Sequence, residues 1–173
     1  MVSICIVLGS ARCVWDDYLE AVNNCHEPFE VMCINDIIMH FPGNVKHAYS
    51  NDAQMLPKWE AARRPGYPRV GHLHSNNGAG GSVNERVKIW DWVHGNSGVN
   101  AVLTALALGY RRVIVCGIPL DNTGHYFSPH WGVSGYDNEA SLDEWRKHAV
   151  EWGNSVISMS GNTREILNGG IGR

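Results

Sequence analysis

The sequence predicts an α/β fold, a single Rossmann-like three-layer domain over residues 1–173 built around a mostly parallel sheet. Three observations carry that expectation. Short, mostly apolar runs, Val2 to Leu8, Phe29 to Ile34 and Val113 to Cys116, have the length of strands, and the last is continuous, the pattern of a strand buried on both faces. Helix-like segments alternate with them, as a doubly wound sheet requires. Several of the runs end in small or amide and carboxylate residues, where parallel sheets place their ligand contacts.

Val2 to Leu8 opens the chain as a β-branched strand and ends at Gly9-Ser10-Ala11, before a helix over Asp16 to Val22. The turn holds Gly9 alone and is not GxGxxG, so a mononucleotide is a better guest than a dinucleotide. Phe29 to Ile34 is the second strand and runs into Asn35-Asp36. Lys46 to Tyr49 is a weak third, followed by Asn51-Asp52. Both pairs read either as Asx turns or as groups that bind a base edge or ribose hydroxyls through directional donors and acceptors. Met55 to Ala62 is helical. Gly71 to Ser82 carries His72, His74, Asn76, Asn77 and four glycines, and its polarity predicts an exposed loop. A His-x-His pair is a metal motif, but no third ligand follows at fixed spacing, so loop histidines are expected and no metal site is assigned. Val87 to Val93 resumes as a strand or short helix, with Trp90 and Trp92 in alternation.

Gly95 to Asp121 is the most informative stretch. Val99, Val102, Leu103, Leu106 and Ala107 lie on one helical face, with Asn96 or Ser97 as cap and Gly109 as left-handed terminus. A glycine-containing turn at a helix start either is a simple cap or receives an anion such as phosphate. Val113 to Cys116 follows as a strand, and Gly117-Ile118-Pro119-Leu120-Asp121 leaves it. Residues 122–137 show no period and are rich in Gly, His, Tyr and Trp, which predicts an active-site lid or binding loop. On it His125 and His130 can exchange a proton near neutral pH, while Tyr126, Trp131 and Tyr136 can stack or exclude water. Ser141 with Glu144 reads as a capping box opening a helix to Trp152. Val156 to Met159 is a last strand, and Ser160 to Thr163 leads into a final helix turn ending at Gly169-Gly170, with Arg164 available to an anion.

Composition narrows the function classes. With 173 residues and 44% hydrophobic content the chain fits one sizeable core. A net charge of −3 gives no footprint for duplex nucleic acid or an anionic membrane. No apolar run approaches a membrane span of about 18 residues, and Ile4 to Leu8 lacks the flank of a signal peptide, so a cytoplasmic protein is expected. The five cysteines are odd in number and have no CxxC spacing, and Cys5, Cys33 and Cys116 read as core residues of a reduced compartment. The seven tryptophans are more than a small domain needs for packing, so core filling is the default expectation and a pocket lining or a homodimer contact the alternative.

The run Ser97-Gly98, alanine-rich helix, Leu108-Gly109-Tyr110, strand, Gly117-Ile118, Asn122-x-Gly124 and Tyr126-Phe127 resembles the central motif of bacterial CMP-sialic acid sialyltransferases of glycosyltransferase family 42. It is equally similar to the wider superfamily that holds the archaeal 6-hydroxymethylpterin pyrophosphokinase and many phage and bacterial proteins. Gly9-Ser10, Cys33-Ile34-Asn35-Asp36 and Ser50-Asn51-Asp52 fall in the same order as that superfamily's nucleotide-binding turns. The resemblance implies phosphate or ribose contacts from Gly9 and Ser10 and base or ribose contacts from Asn35 and Asn51. It also implies nucleotide contacts from Ser97 and Gly98 and a phosphate-facing hydroxyl at Tyr126, with Asp36, Asp52 and Gly117 beside them. The sequence departs from the sialyltransferase pattern at two points. Val133 and Ser134 stand where its catalytic base is expected after His130-Trp131, and Gly-Ile-Pro replaces Gly-Ile-Asp, with Asp121 two residues later.

The leading expectation is a transferase using a nucleotide sugar, with His130 or His125 as base and Asp121 near the reacting atoms. Pyrophosphoryl transfer is the alternative and would need Mg held by carboxylates such as Asp36, Asp52 and Asp121. A nucleotide-binding sponge or sensor that breaks no bond is the third reading.

Overall fold

The computed structural model describes residues 2–76, 84–92, 94–121, 124–126 and 138–169. Seven parallel strands form one sheet: β1 (Ile4–Leu8), β2 (Phe29–Ile34), β3 (His47–Tyr49), β4 (His72–Asn76), β5 (Val87–Trp90), β6 (Arg112–Cys116) and β7 (Val156–Ser158). Their spatial order is β5-β4-β3-β2-β1-β6-β7. The helices are α1 (Val14–Asn24), α2 (Ile37–His40), α3 (Leu56–Ala61), α4 (Ser97–Ala107), α5 (Asn138–Trp152) and α6 (Gly161–Asn168).

Strand alternation divides the core between the two faces. Ile4, Ile6 and Leu8 of β1 pack with Val14 and Ala21 of α1, with α2, and with Leu56 of α3. Cys5 and Val7 face the other way, onto Val99, Val102 and Ala105 of α4, Trp145 and Trp152 of α5 and Leu167 of α6. The result is the predicted three-layer architecture. Cys5, Cys33 and Cys116 are fully buried in it, and burial holds the thiols of Cys5, Cys33 and Cys116 above the ordinary range.

Two expectations are corrected. Residues 72–76, expected in an exposed loop, form the interior strand β4, with every residue but His72 buried. Ser141 is not a cap, because α5 already starts at Asn138 and Ser141 lies buried in its first turn. Residues 77–83 and Val93 lie outside the described residues. The tail of the predicted Val87 to Val93 element leaves the sheet after Trp90.

The polarity of β4 misleads because its side chains find partners across the sheet. Trp90 Nε1 donates to His74 Nδ1 at 3.2 Å, His74 Nε2 lies 2.9 Å from His47 Nδ1, and His47 Nε2 lies 2.9 Å from the Tyr110 hydroxyl. Tyr110 in turn donates to the Glu30 carboxylate. An indole N–H only donates and a carboxylate only accepts, so the two ends assign every tautomer between them. His74 carries its proton on Nε2, His47 carries its own on Nε2, and the chain runs one way from Trp90 to Glu30. Neither ring has room for a second proton. Burial pushes His47 down to about 4 and His74 down to about 3, with neighbouring histidines adding to the effect.

Those depressed values link stability to pH. Both histidines stay neutral in the fold, while the unfolded chain protonates them below the ordinary value of 6.5. Stability should therefore be fully present above pH 6.5 and fall as the pH drops towards 4, approaching about 1.4 kcal/mol per pH unit for each excluded proton. Urea midpoints across that range test this, and His74→Gln should flatten the slope. A wild-type midpoint constant over the range would show that the rings charge without cost.

Candidate functional site

From β1 at the centre, the chain winds outward through β2 to β5 on one side, then crosses to β6 and β7 on the other. The reversal lies between β1 and β6, and ligands of such sheets bind outside the carboxyl ends of the strands at that point. Here two glycines touch. Gly9 N–H donates to Cys116 O at 2.8 Å, and a Cβ on Gly9 would come within 2.6 Å of Gly117 O and 2.5 Å of Ile118 Cγ1. Gly117 has φ +67°, and its own Cβ would meet Val14 Cβ at 2.7 Å and Gly9 O at 2.9 Å. No larger residue fits either position without moving backbone.

The close approach sets the loops beside it. Ala11 N–H donates to Gly117 O at 3.1 Å, Arg12 N–H to Gly124 O at 3.2 Å and Tyr126 N–H to Ser10 O at 2.8 Å. Residues 124–126 thus run antiparallel to the turn after β1, with His125 bridged to Ala11. Tyr126 stands edge-on to Trp15, with ring centroids 6.2 Å apart, and is exposed. His125 and Tyr126 are therefore held at the mouth of the β1 turn. His130, Trp131 and Tyr136 lie outside the described residues, as does the remainder of the expected lid over 122–137.

Asp17 ties the back of the site. Its buried carboxylate accepts from Gly117 N–H at 2.8 Å and from the Ser160 hydroxyl at 2.5 Å, joining α1, the β6 turn and the β7 turn through one oxygen. Sequence reasoning missed it, although a signal was present. Asp17 lies on the buried stripe Val14, Asp17, Ala21 of α1, where a carboxylate needs a partner. The β6 turn is held further by Asn162 Nδ2 on Leu120 O at 2.7 Å and by Thr163 Oγ1 on Ile118 O at 2.7 Å. Asp121 follows it, half-buried.

The polar strand endings gather at the same edge. Ser10, buried at the end of β1, donates to Asp36 after β2. Asn35 adopts φ +58° and accepts from the Ser50 hydroxyl at 2.7 Å. Asp52 is exposed, its N–H donating to Ser50 Oγ at 3.0 Å. Asn51 is the most heavily bonded: Nδ2 donates to Gly95 O at 3.0 Å, Oδ1 accepts from Asn100 Nδ2 at 2.9 Å, and its N–H approaches Ser97 Oγ at 3.4 Å. Its amide fastens the start of α4 to the end of β3.

At that start Asn96 is the cap, its Oδ1 accepting from Gly98 N–H at 2.8 Å and Val99 N–H at 3.3 Å. Two first-turn donors are thereby satisfied internally, which leaves the helix dipole and the Ser97 hydroxyl, rather than a set of free N–H groups, to face an anion. Gly98 is buried, and a Cβ would stand 2.9 Å from Asn96 Oδ1 and 3.0 Å from Trp145 Cζ2. Asn76 Oδ1 at the end of β4 and Asn100 Oδ1 in α4 are buried acceptors to which no protein donor is bonded among the described residues. Their burial favours a donor brought by water or ligand.

A hollow of about 410 Å³ lies elsewhere, between α3 and the 63–69 turn at the amino end of β4. Arg63 on its wall is spent on Pro68 O at 3.1 Å, Gly43 O at 3.2 Å and Ile38 O. Among the described residues no group of three or more His, Cys, Asp and Glu side chains is arranged to hold a metal ion, and no helix is long and apolar enough to cross a membrane. His72 and His74 both lie on β4, His74 in the hydrogen-bond chain described above and His72 exposed at the start of the strand.

No family model matches the chain, and no curated protein sequence matches it. Among solved structures the fold is similar to that of a mammalian sialyltransferase, with a TM-score of 0.52 and 14% identity, covering 92% of this chain and 69% of that one. At that identity the likeness is one of fold.

Substitution of Gly9 by Ala is expected to destabilise by about 1–3 kcal/mol through overpacking of the β1 and β6 turns, measured by chemical denaturation. Asp17 separates two effects. Asp17→Ala leaves the Gly117 and Ser160 donors unpaired and should cost clearly more than Asp17→Asn, whose oxygen can replace the accepting Oδ2. Equal melting temperatures for the two variants would contradict the bonding described.

Proposed function

We propose that the chain binds a nucleotide at the carboxyl edge of its sheet and uses a nucleotide sugar, of the CMP-sugar kind, as donor in glycosyl transfer. The observation that carries this reading is the convergence of Ser10-Asp36, Asn35-Ser50 and Asn51-Ser97 with the N-terminus of α4 at one edge, beside the strand-order reversal. The sialyltransferase-like fold supports it.

Each group has a defined part. The amide and carboxylate ends of β2 and β3 offer acceptors and donors to the base and ribose. The positive end of α4 and the Ser97 hydroxyl stabilise phosphate charge as the glycosyl–oxygen bond breaks, with Tyr126 as a further donor. His130 or His125 takes the acceptor proton, and Asp121 leads into the same loop. Asn51 acts as a positioning residue, because its side chain is bonded to the α4 turn.

Calorimetry against a panel of nucleotides and nucleotide sugars tests the reading. Saturable binding is expected, weakened about tenfold or more by Ser10→Ala or Asp36→Asn, as loss of one charge-assisted contact implies. His130→Ala should abolish slow hydrolysis of the donor while leaving affinity unchanged. Binding with the ligand recovered intact would support a sensor or sponge in place of a transferase. No binding across the panel would end the nucleotide reading.

A further inference from the structure

We propose that His94 and His148 together hold a divalent transition-metal ion of the zinc, nickel or copper class, independently of any nucleotide. His94 lies on the segment entering α4, and His148 lies on α5. Their Nε2 atoms are 3.2 Å apart, with the rings crossed at 86° and the centroids only 4.6 Å apart. That centroid separation is shorter than the N···N distance plus two ring radii, so the rings do not meet end on. Two imidazole nitrogens sharing a tetrahedral ion, with bonds of about 2.0–2.1 Å, stand about 3.3 Å from each other.

The opposite side of each ring faces a carboxylate. Glu144 Oε1 is 4.0 Å from His94 Nδ1, and Glu151 Oε2 is 3.7 Å from His148 Nδ1. Carboxylates placed behind metal-bound histidines fix the tautomer and raise ligand basicity. Both rings are also set in place by other contacts. Glu144 approaches Gly95 N–H at 3.4 Å, the His94 carbonyl accepts from Asn100 Nδ2 at 2.8 Å, and His148 stacks on Trp152 at 5.0 Å and 12°.

Proton accounting favours a cation at the shared point. If both rings were neutral and joined by Nε2–H···Nε2, the donor ring would turn the bare lone pair of its Nδ1 towards its carboxylate. A metal ion between the two Nε2 atoms removes that conflict, as a further proton there would, since either leaves both rings with Nδ1–H facing Glu144 and Glu151, and zinc calorimetry tells the two apart. Two protein nitrogens leave the other coordination positions to water, and imidazole ligation suits zinc, nickel and copper over magnesium or calcium. The ion would clamp the segment before α4 to α5.

Zinc calorimetry on tag-free protein, stripped with a chelator and desalted at pH 7.5, tests the site. One ion per chain is expected, with a rise in melting temperature. His94→Ala and His148→Ala should each weaken binding at least tenfold and remove the thermal shift, and Glu144→Gln should weaken it by about tenfold. His72→Ala, a histidine remote from the pair, should change nothing. If His148→Ala does not fold, His94→Asn on the half-buried side of the pair carries the test. Absence of saturable zinc binding, or binding unaltered by His94→Ala, overturns the proposal. So does a pair that binds no zinc while its histidine resonances show a retained proton at neutral pH. Nucleotide binding measured with chelator present is a separate readout, so neither failure masks the other.

Discussion

The contact between Gly9 and Gly117 is the constraint on which the functional edge depends. β1 and β6 are neighbours whose chains leave in opposite lateral directions, and their turns can meet only where neither carries a Cβ. Because they meet, the turn after β1 lies against the turn after β6, and residues 124–126 are laid antiparallel along it. Asp17 then locks the arrangement from beneath by accepting from both Gly117 and Ser160. A buried carboxylate would be costly alone; shared between two donors it fixes the position of three elements.

At the same edge, some polar residues are bonded within the protein and others are exposed. Asn96 and Asn51 spend their amides on the first turn of α4 and on the segment before it. Asp52 and Tyr126 remain exposed. An amide at the end of a strand thus acts structurally, by fixing the helix whose positive end faces the carboxyl edge of the sheet. In this sialyltransferase-like fold, the sheet and the first turn of α4 are joined at their polar edge by side-chain amides.

The histidines follow an analogous division. His47 and His74 are interior groups in a one-way hydrogen-bond chain that ends on Glu30, and their neutrality is part of the packing of β3 and β4. His94 and His148 share one short nitrogen contact at the join of α4 and α5, each with a carboxylate behind it. Burial and partners separate the two sets, since the side chains themselves are the same.

The sequence by itself determined the α/β class, five of the seven strands, the α4 helix with its terminal glycine, and the ordering of polar strand ends at Ser10, Asn35-Asp36 and Asn51-Asp52, while it left β5 as strand or short helix and the α4 cap as Asn96 or Ser97. Those features are local: strand runs, helical spacing and turn residues act over a few positions. β4 was illegible because His74, Ser75 and Asn76 are polar, and only partners brought by other strands make their burial acceptable. Asp17 was legible only as an oddity on an apolar stripe, since its two donors lie 100 and 143 residues away. Tertiary structure alone decided which amides hold the protein together, which strand ends share an edge, and that His94 meets His148. Each of those facts depends on contacts between residues far apart in the chain, and periodicity carries no information about them.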